Sequence, residues 1–160
     1  MQNNSYILVV EDQPELTEII VEILENEGLN VIAVSNAIEA IALLENSVPD
    51  LIISDIIMPH LSGFEFKENL LKNSRLASVP FVFLSAKISR DDITKAINLG
   101  ADDYIKKPFD VQDFISIVHS KIRKTTPGKA ENGIYPVVLL LTLINDNCLN
   151  NINQILNYVY

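Results

Sequence analysis

Leu51-Ile52-Ile53-Ser54-Asp55-Ile56-Ile57-Met58-Pro59-His60-Leu61-Ser62-Gly63 is the stretch whose reading decides the fold. Residues 51–53 form a short apolar run without polar alternation, the pattern of a strand buried on both faces. Asp55 ends that run. A carboxylate is costly inside a sheet, so it belongs at the strand's carboxyl edge, facing a cleft. Pro59 and Gly63 then break the chain, and Ser62 with Glu65 three residues on has the form of a capping box opening a helix. A lone Asp is most often a turn residue, but an acid held between rigid flanks is a candidate nucleophile or metal ligand. Its company elsewhere in the chain decides.

Before this stretch, residues 6–10 read as a compact apolar strand followed by two acids, Glu11 and Asp12. Pro14 suits the first turn of a helix whose inner face is Leu16, Ile19, Ile20, Ile23 and Leu24, and Gly28 suits its left-handed cap. Residues 31–34 form a second strand. Asn36 caps a helix with Ile38, Ile41, Ala42 and Leu44 facing inward, stopped by Pro49. After the central stretch, a helix uses Phe64, Phe66, Leu70 and Leu71. Residues 79–84 make a fourth strand ending at Ser85, and Ser89 with Asp92 caps a helix that Gly100 closes. Tyr104 and Ile105 mark a short fifth strand ending in Lys106, Lys107 and Pro108. Asp110 caps a last helix bearing Phe114, Ile115, Val118 and Ile122.

Strand and helix thus alternate five times, which implies parallel strands, right-handed crossovers and helices on both faces of the sheet. The carboxyl edge of such a sheet collects Glu11, Asp12, Asp55, Ser85 and Lys107, and ligands bind at that edge. Three carboxylates around one point repel each other unless a cation joins them, and oxygen-only ligands select a hard ion such as Mg²⁺. No His stands at a strand end, which disfavours zinc or copper. Lys107 offers a point charge to a phosphoryl oxygen and Ser85 a hydroxyl donor. Together these groups suit phosphoryl transfer to Asp55.

The composition agrees. A chain of 160 residues with 48% hydrophobic content can bury one core. A net charge of −9 argues against direct nucleic-acid binding, which needs a basic surface. The single cysteine, Cys148, excludes an intramolecular disulfide and a cysteine-based zinc site. The first residues lack a basic leader and an apolar signal core, so a cytoplasmic location is expected.

In its joint order of motifs the sequence resembles the receiver domain of two-component response regulators, of the stand-alone CheY-like kind. Glu11 and Asp12 match the acidic pair of that family, and Asp55 in Ser-Asp-Ile-Ile-Met-Pro its phospho-acceptor. Ser85 matches the Thr/Ser switch position, Tyr104 the switch aromatic, and Lys107-Pro108-Phe109 the Lys-Pro-Phe element. The resemblance covers residues 5–124 and implies a flavodoxin-like, doubly wound, five-stranded parallel α/β sheet of order 2-1-3-4-5. It also implies that Asp12, Asp55 and the Ile57 carbonyl hold Mg²⁺, with Glu11 close by. Asp55 then accepts a phosphoryl group from a sensor histidine kinase or phosphotransfer protein, while Ser85 and Lys107 hold the phosphoryl oxygens. Tyr104 turns inward, and the surface formed by the last two helices and the strand between them changes shape for a downstream protein target. A homodimer is compatible with this role, and a cis Lys107–Pro108 bond is implied.

Bulk at Ile57 and Lys87 is expected to shield the acyl phosphate. His60 and Lys106 are expected to be exposed, and His119 to be structural without a partner. Beyond self-phosphorylation and dephosphorylation no enzyme activity is expected. A dehalogenase-type phosphohydrolase needs a second Asp at position 57, and no Gly-rich nucleotide loop follows the first strand. An interaction module that is never phosphorylated is the remaining alternative. Residues 125–160 do not fit the pattern. A polar linker, 125–133, leads to an apolar run, 134–144, too short to span a bilayer, and then to an Asn-rich end of unknown role.

Overall fold

Short unbroken apolar runs and apolar positions at 3.6-residue spacing are realised as alternating strands and helices. The computed structural model describes residues 5–86 and 89–122. They form β1 (Ile7–Val10), α1 (Pro14–Asn26), β2 (Val31–Val34), α2 (Ala37–Leu44), β3 (Leu51–Asp55) and α3 (Gly63–Leu71). A single turn, α4 (Ser74–Ala77), follows, then β4 (Phe81–Ser85), α5 (Arg90–Asn98), β5 (Asp103–Lys106) and α6 (Val111–Ile122). The expectations for Lys87 and for the segment 125–160 lie outside the described residues.

All strand pairs are parallel, in the order β2-β1-β3-β4-β5. This is the flavodoxin-like arrangement. Alternate strand residues feed two cores. Ile7, Val9, Leu51, Ile53, Val82, Leu84 and Ile105 pack with α1 and α6 on one face. Leu8, Val10, Ile52, Phe81 and Phe83 pack with α2, α3 and Ala96 of α5 on the other. The central strands β1, β3 and β4 are buried throughout. Such two-sided burial explains why their sequences run apolar without alternation.

The caps fall where the sequence places them. Asn36 accepts the Glu39 N–H, and Ser62/Glu65 and Ser89/Asp92 form complete capping boxes. Asp110 accepts the N–H groups of Gln112 and Asp113. Gly28 and Gly100 have φ of 76° and 68°, the left-handed conformation that closes a helix. The Lys107–Pro108 peptide is cis.

Three details differ from expectation. In α2 the buried positions are Ala37, Ala40 and Leu44, which leaves Ile38 and Ala42 outside. The helix meets the sheet through two alanines and Leu44, spaced three and four apart, with Ile41 packed beside them, so Leu44 and Ile41 of the expected face hold and Ile38 does not. Leu71 is exposed rather than packed, because it ends α3 just before the chain turns into α4. That turn was not expected. Asn73 caps it by accepting the Arg75 N–H, and it shortens β4, which starts at Phe81 rather than at 79.

Candidate functional site

Parallel strands end on the same side, so the last residues of β1, β3, β4 and β5 deliver their successors to one edge. Glu11 and Asp12 follow β1. Asp55 closes β3, Ser85 closes β4, and Lys107 lies one residue beyond β5. Glu11, Asp55, Ser85 and Lys107 are all buried. The Lys107 ammonium donates to Glu11 Oε2 at 2.6 Å and to Asp55 Oδ2 at 2.7 Å. The Ile57 backbone N–H donates to Asp55 Oδ1 at 3.1 Å. Gln13 N–H reaches Glu11 Oε1 at 3.3 Å.

One carboxylate oxygen from each of Glu11, Asp12 and Asp55 lies within 4.8 Å of the others. Asp12 Oδ1 is buried and has no hydrogen-bond partner. Leaving a buried acceptor unpaired costs roughly 1–3 kcal/mol, and more when it is charged. One ammonium does not neutralise three carboxylates. The cluster is thus compatible with a metal site, since a hard cation would satisfy both the excess charge and the orphaned Asp12 oxygen.

The electrostatics follow from burial. Burial pushes the Glu11 carboxyl up to about 7, opposed by the Lys107 charge and hydrogen bond and assisted by Asp55. Burial alone would lower Lys107, but Glu11 and Asp55 outweigh it and hold the ammonium above its ordinary value. Lys107 therefore stays charged, and Glu11 is the acid whose protonation relieves the repulsion.

Ser85 and Tyr104 are brought together. The Tyr104 side chain hydrogen-bonds to that of Ser85, while burial raises its phenol. Its ring centroid lies 6.4 Å from that of Phe83. Tyr104 is thus half-buried and turned toward Ser85. Ile57 contributes its backbone to Asp55, while its side chain is 58% exposed. His60 and Lys106 are exposed, as expected. His119 does have a partner: its Nε2 lies 3.0 Å from Glu27 Oε2.

Gly63 was read only as a chain breaker. A Cβ there would lie 2.1 Å from the Asp55 carbonyl oxygen, so the start of α3 is pressed against the backbone of Asp55 itself. The Gly63 N–H donates to Ile56 O at 2.9 Å and fixes that approach. The signal was present in the sequence: glycine is a poor choice for a first helical residue unless close backbone contact requires it.

Comparison with known proteins decides the family. The model of the response regulator receiver domain matches residues 7–119. The chain belongs to this family. It is 40% identical over 116 residues to the probable transcriptional regulator ycf29 of Porphyra purpurea, covering 72% of this chain and 56% of that protein. It is 33% identical over 139 residues to the phosphate regulon transcriptional regulatory protein PhoB of Pseudomonas aeruginosa, covering 87% and 61%. The chain thus spans little more than half the length of these relatives. Among solved structures, the signal receiver domain of a histidine kinase from Syntrophus aciditrophicus matches with a TM-score of 0.72 at 30% identity, covering 82% of this chain and 99% of that one. The non-phosphorylated HemR receiver domain of Leptospira biflexa gives 0.71 at 30%, covering 78% and 99%. No helix among the described residues is long and apolar enough to cross a membrane.

Proposed function

We propose that this receiver domain is a phosphorylation-controlled switch that accepts a phosphoryl group on Asp55, with Mg²⁺ as cofactor. The observation that carries the reading is the buried Asp55 carboxylate, held by Lys107 at 2.7 Å and sharing its pocket with the acidic pair whose Asp12 Oδ1 lacks a partner.

Asp12 and Asp55 would hold Mg²⁺, with the Ile57 carbonyl completing the protein ligands and Glu11 nearby. When bound, the ion supplies charge neutralisation for the acids and for the incoming phosphoryl oxygens. A carboxylate oxygen of Asp55 attacks phosphorus and forms the O–P bond as the bond to the donor's histidine nitrogen, or to a small donor's oxygen, breaks. The leaving group takes up a proton. Lys107 holds the carboxylate in place beforehand and then pairs with a phosphoryl oxygen. Positioning supplies most of the effect, because the two hydrogen bonds to Asp55 hold it before the donor arrives.

The Ser85 hydroxyl then donates to another phosphoryl oxygen. The Tyr104 side chain now bonds to Ser85, so phosphorylation rearranges this pair. The change spreads to the surface of α5, β5 and α6, where a downstream protein binds. That is a two-state switch biased by local charge. A sensor histidine kinase or a phosphotransfer protein is the proposed donor.

Intact-mass measurement with Mg²⁺ and a small acyl-phosphate donor tests the reading. The native chain is expected to gain one phosphoryl group and Asp55→Asn none. Equal labelling of both would sink the assignment.

A further inference from the structure

α5 is a nine-residue helix that buries one residue, Ala96, while Ile93 and Ile97 face outward. Such a helix gains little from the core, so its place depends on what its polar side chains hold. Lys95 is the side chain that reaches across to α3. Its Nζ lies 4.7 Å from the centroid of the Phe64 ring and 3.7 Å from Glu68 Oε1. Phe64 and Glu68 stand four residues apart, so α3 presents a ring and a carboxylate on one side, and the ammonium lies against both.

An exposed ion pair by itself holds little, and the Lys95 and Glu68 side chains are each about half exposed. The ring is different. Phe64 is buried, and a cation seated over a buried ring is screened less by salt than a surface pair. Phe64 is also where two parts of the site converge. It follows Gly63, whose backbone is pressed against the Asp55 carbonyl. Its ring centroid is 5.0 Å from that of Phe83, and Phe83 lies 6.4 Å from Tyr104, which hydrogen-bonds to Ser85. α5 is tied to the site from its other end as well. Three residues separate Ser85, which closes β4, from Ser89, which caps α5.

We propose that Lys95 is a clamp, which fastens α5 to α3 in the unphosphorylated chain and opposes the rearrangement that phosphorylation brings. The proposal rests on the reading of Asp55 as phosphoryl acceptor. When the Ser85 hydroxyl turns to a phosphoryl oxygen, the short connection draws on the first turn of α5. Lys95, in the second turn, holds the same helix to Phe64. The two demands conflict, so the free energy of the clamp is subtracted from that of the switched state. The clamp holds the chain in its resting form, and its strength sets how far phosphate shifts the balance.

Amide exchange by NMR on the unphosphorylated full chain tests the clamp itself, with Lys95→Met, Lys95→Arg and Glu68→Gln as variants. Methionine keeps the apolar stem and removes the charge, whereas arginine keeps a cation for both ring and carboxylate. In Lys95→Met the amides of residues 94–98 are expected to exchange about fivefold faster, with those of β1 and β3 unchanged. Lys95→Arg should match the native chain. Glu68→Gln should fall between, since it leaves the ring contact in place.

Labelling of Asp55 by a small acyl-phosphate donor with Mg²⁺ tests the opposition. Lys95→Met should label faster by a similar factor, because the same restraint is gone. Equal α5 exchange in Lys95→Met and the native chain would overturn the clamp. Faster exchange with an unchanged labelling rate would overturn its regulatory part and leave a packing contact. A native chain that takes up no phosphate would contradict the acceptor reading beneath the proposal. That failure is separate from failure of the clamp, whose exchange test needs no phosphate.

Discussion

Gly63 carries no chemistry, yet the site has no room for a side chain there. A methyl group there meets the Asp55 carbonyl at 2.1 Å. Backbone cannot yield as a side-chain tip does, so Gly63→Ala is expected to destabilise the fold by on the order of 2 kcal/mol. It should also slow Asp55 labelling more than its loss of stability explains, as urea unfolding and phosphorylation rates measured together would show. Asp12→Ala tests the metal reading. Mg²⁺ should raise the melting temperature of the native chain, and the variant should lose most of that response. An unchanged response would mean that the ion does not sit among these carboxylates. Lys67 offers a test by pH. It is fully buried in α3, 5.0 Å from the Phe81 ring centroid. Burial lowers its pKa, with Asp102 opposing. A lysine depressed in the folded state gives up its proton at lower pH folded than unfolded, so its penalty is complete below the folded value. The penalty fades as pH rises from the folded value toward the ordinary lysine value. Lys67→Met is therefore expected to be more stable by about 1 kcal/mol near pH 7. That advantage should shrink in alkaline solution. The acids, Ser85 and Lys107 were legible because strand ends are legible and parallel topology gathers them. Gly63, Lys67 and the His119–Glu27 pair were not, because each depends on which helix turn meets which backbone.

Helix ends obey local chemistry and were read correctly, while helix faces were not always. Ser62 bonds the Glu65 N–H, and the Glu65 carboxylate returns to the Ser62 N–H at 2.9 Å. This box is short-range, so four residues of sequence specify it. Ser62→Ala should cost about 1 kcal/mol. It should raise exchange in the first turn of α3, next to Asp55, before it affects β1. α2 shows the opposite case. Its apolar residues run nearly all round the helix, so periodicity alone could not select Ala37, Ala40 and Leu44 over Ile38. The sheet made that choice. α5 is the most lightly anchored long helix described: only Ala96 is buried, and Ile93 and Ile97 are exposed. Lys95 ties it to α3 through Glu68 at 3.7 Å and the Phe64 ring at 4.7 Å. Few buried contacts suit an element that the proposed switch would move.

Fold and site belong together in the whole molecule. One parallel sheet places four strand ends on one edge. The site residues named above all lie between Glu11 and Lys107. A chain ending at Lys124 is thus expected to fold, to bind Mg²⁺ and to accept phosphate as the full chain does. Unfolding of the shortened chain in a thermal scan would make the segment part of the core. The most direct measurement of all traps the acceptor itself. An aspartyl phosphate is reduced by borohydride to homoserine, whereas a free carboxylate is not. After labelling with Mg²⁺ and phosphodonor, reduction and peptide mapping should find homoserine at position 55 alone. Homoserine at another acid, or none in a chain that has gained phosphate, would contradict Asp55 as the phosphoryl acceptor.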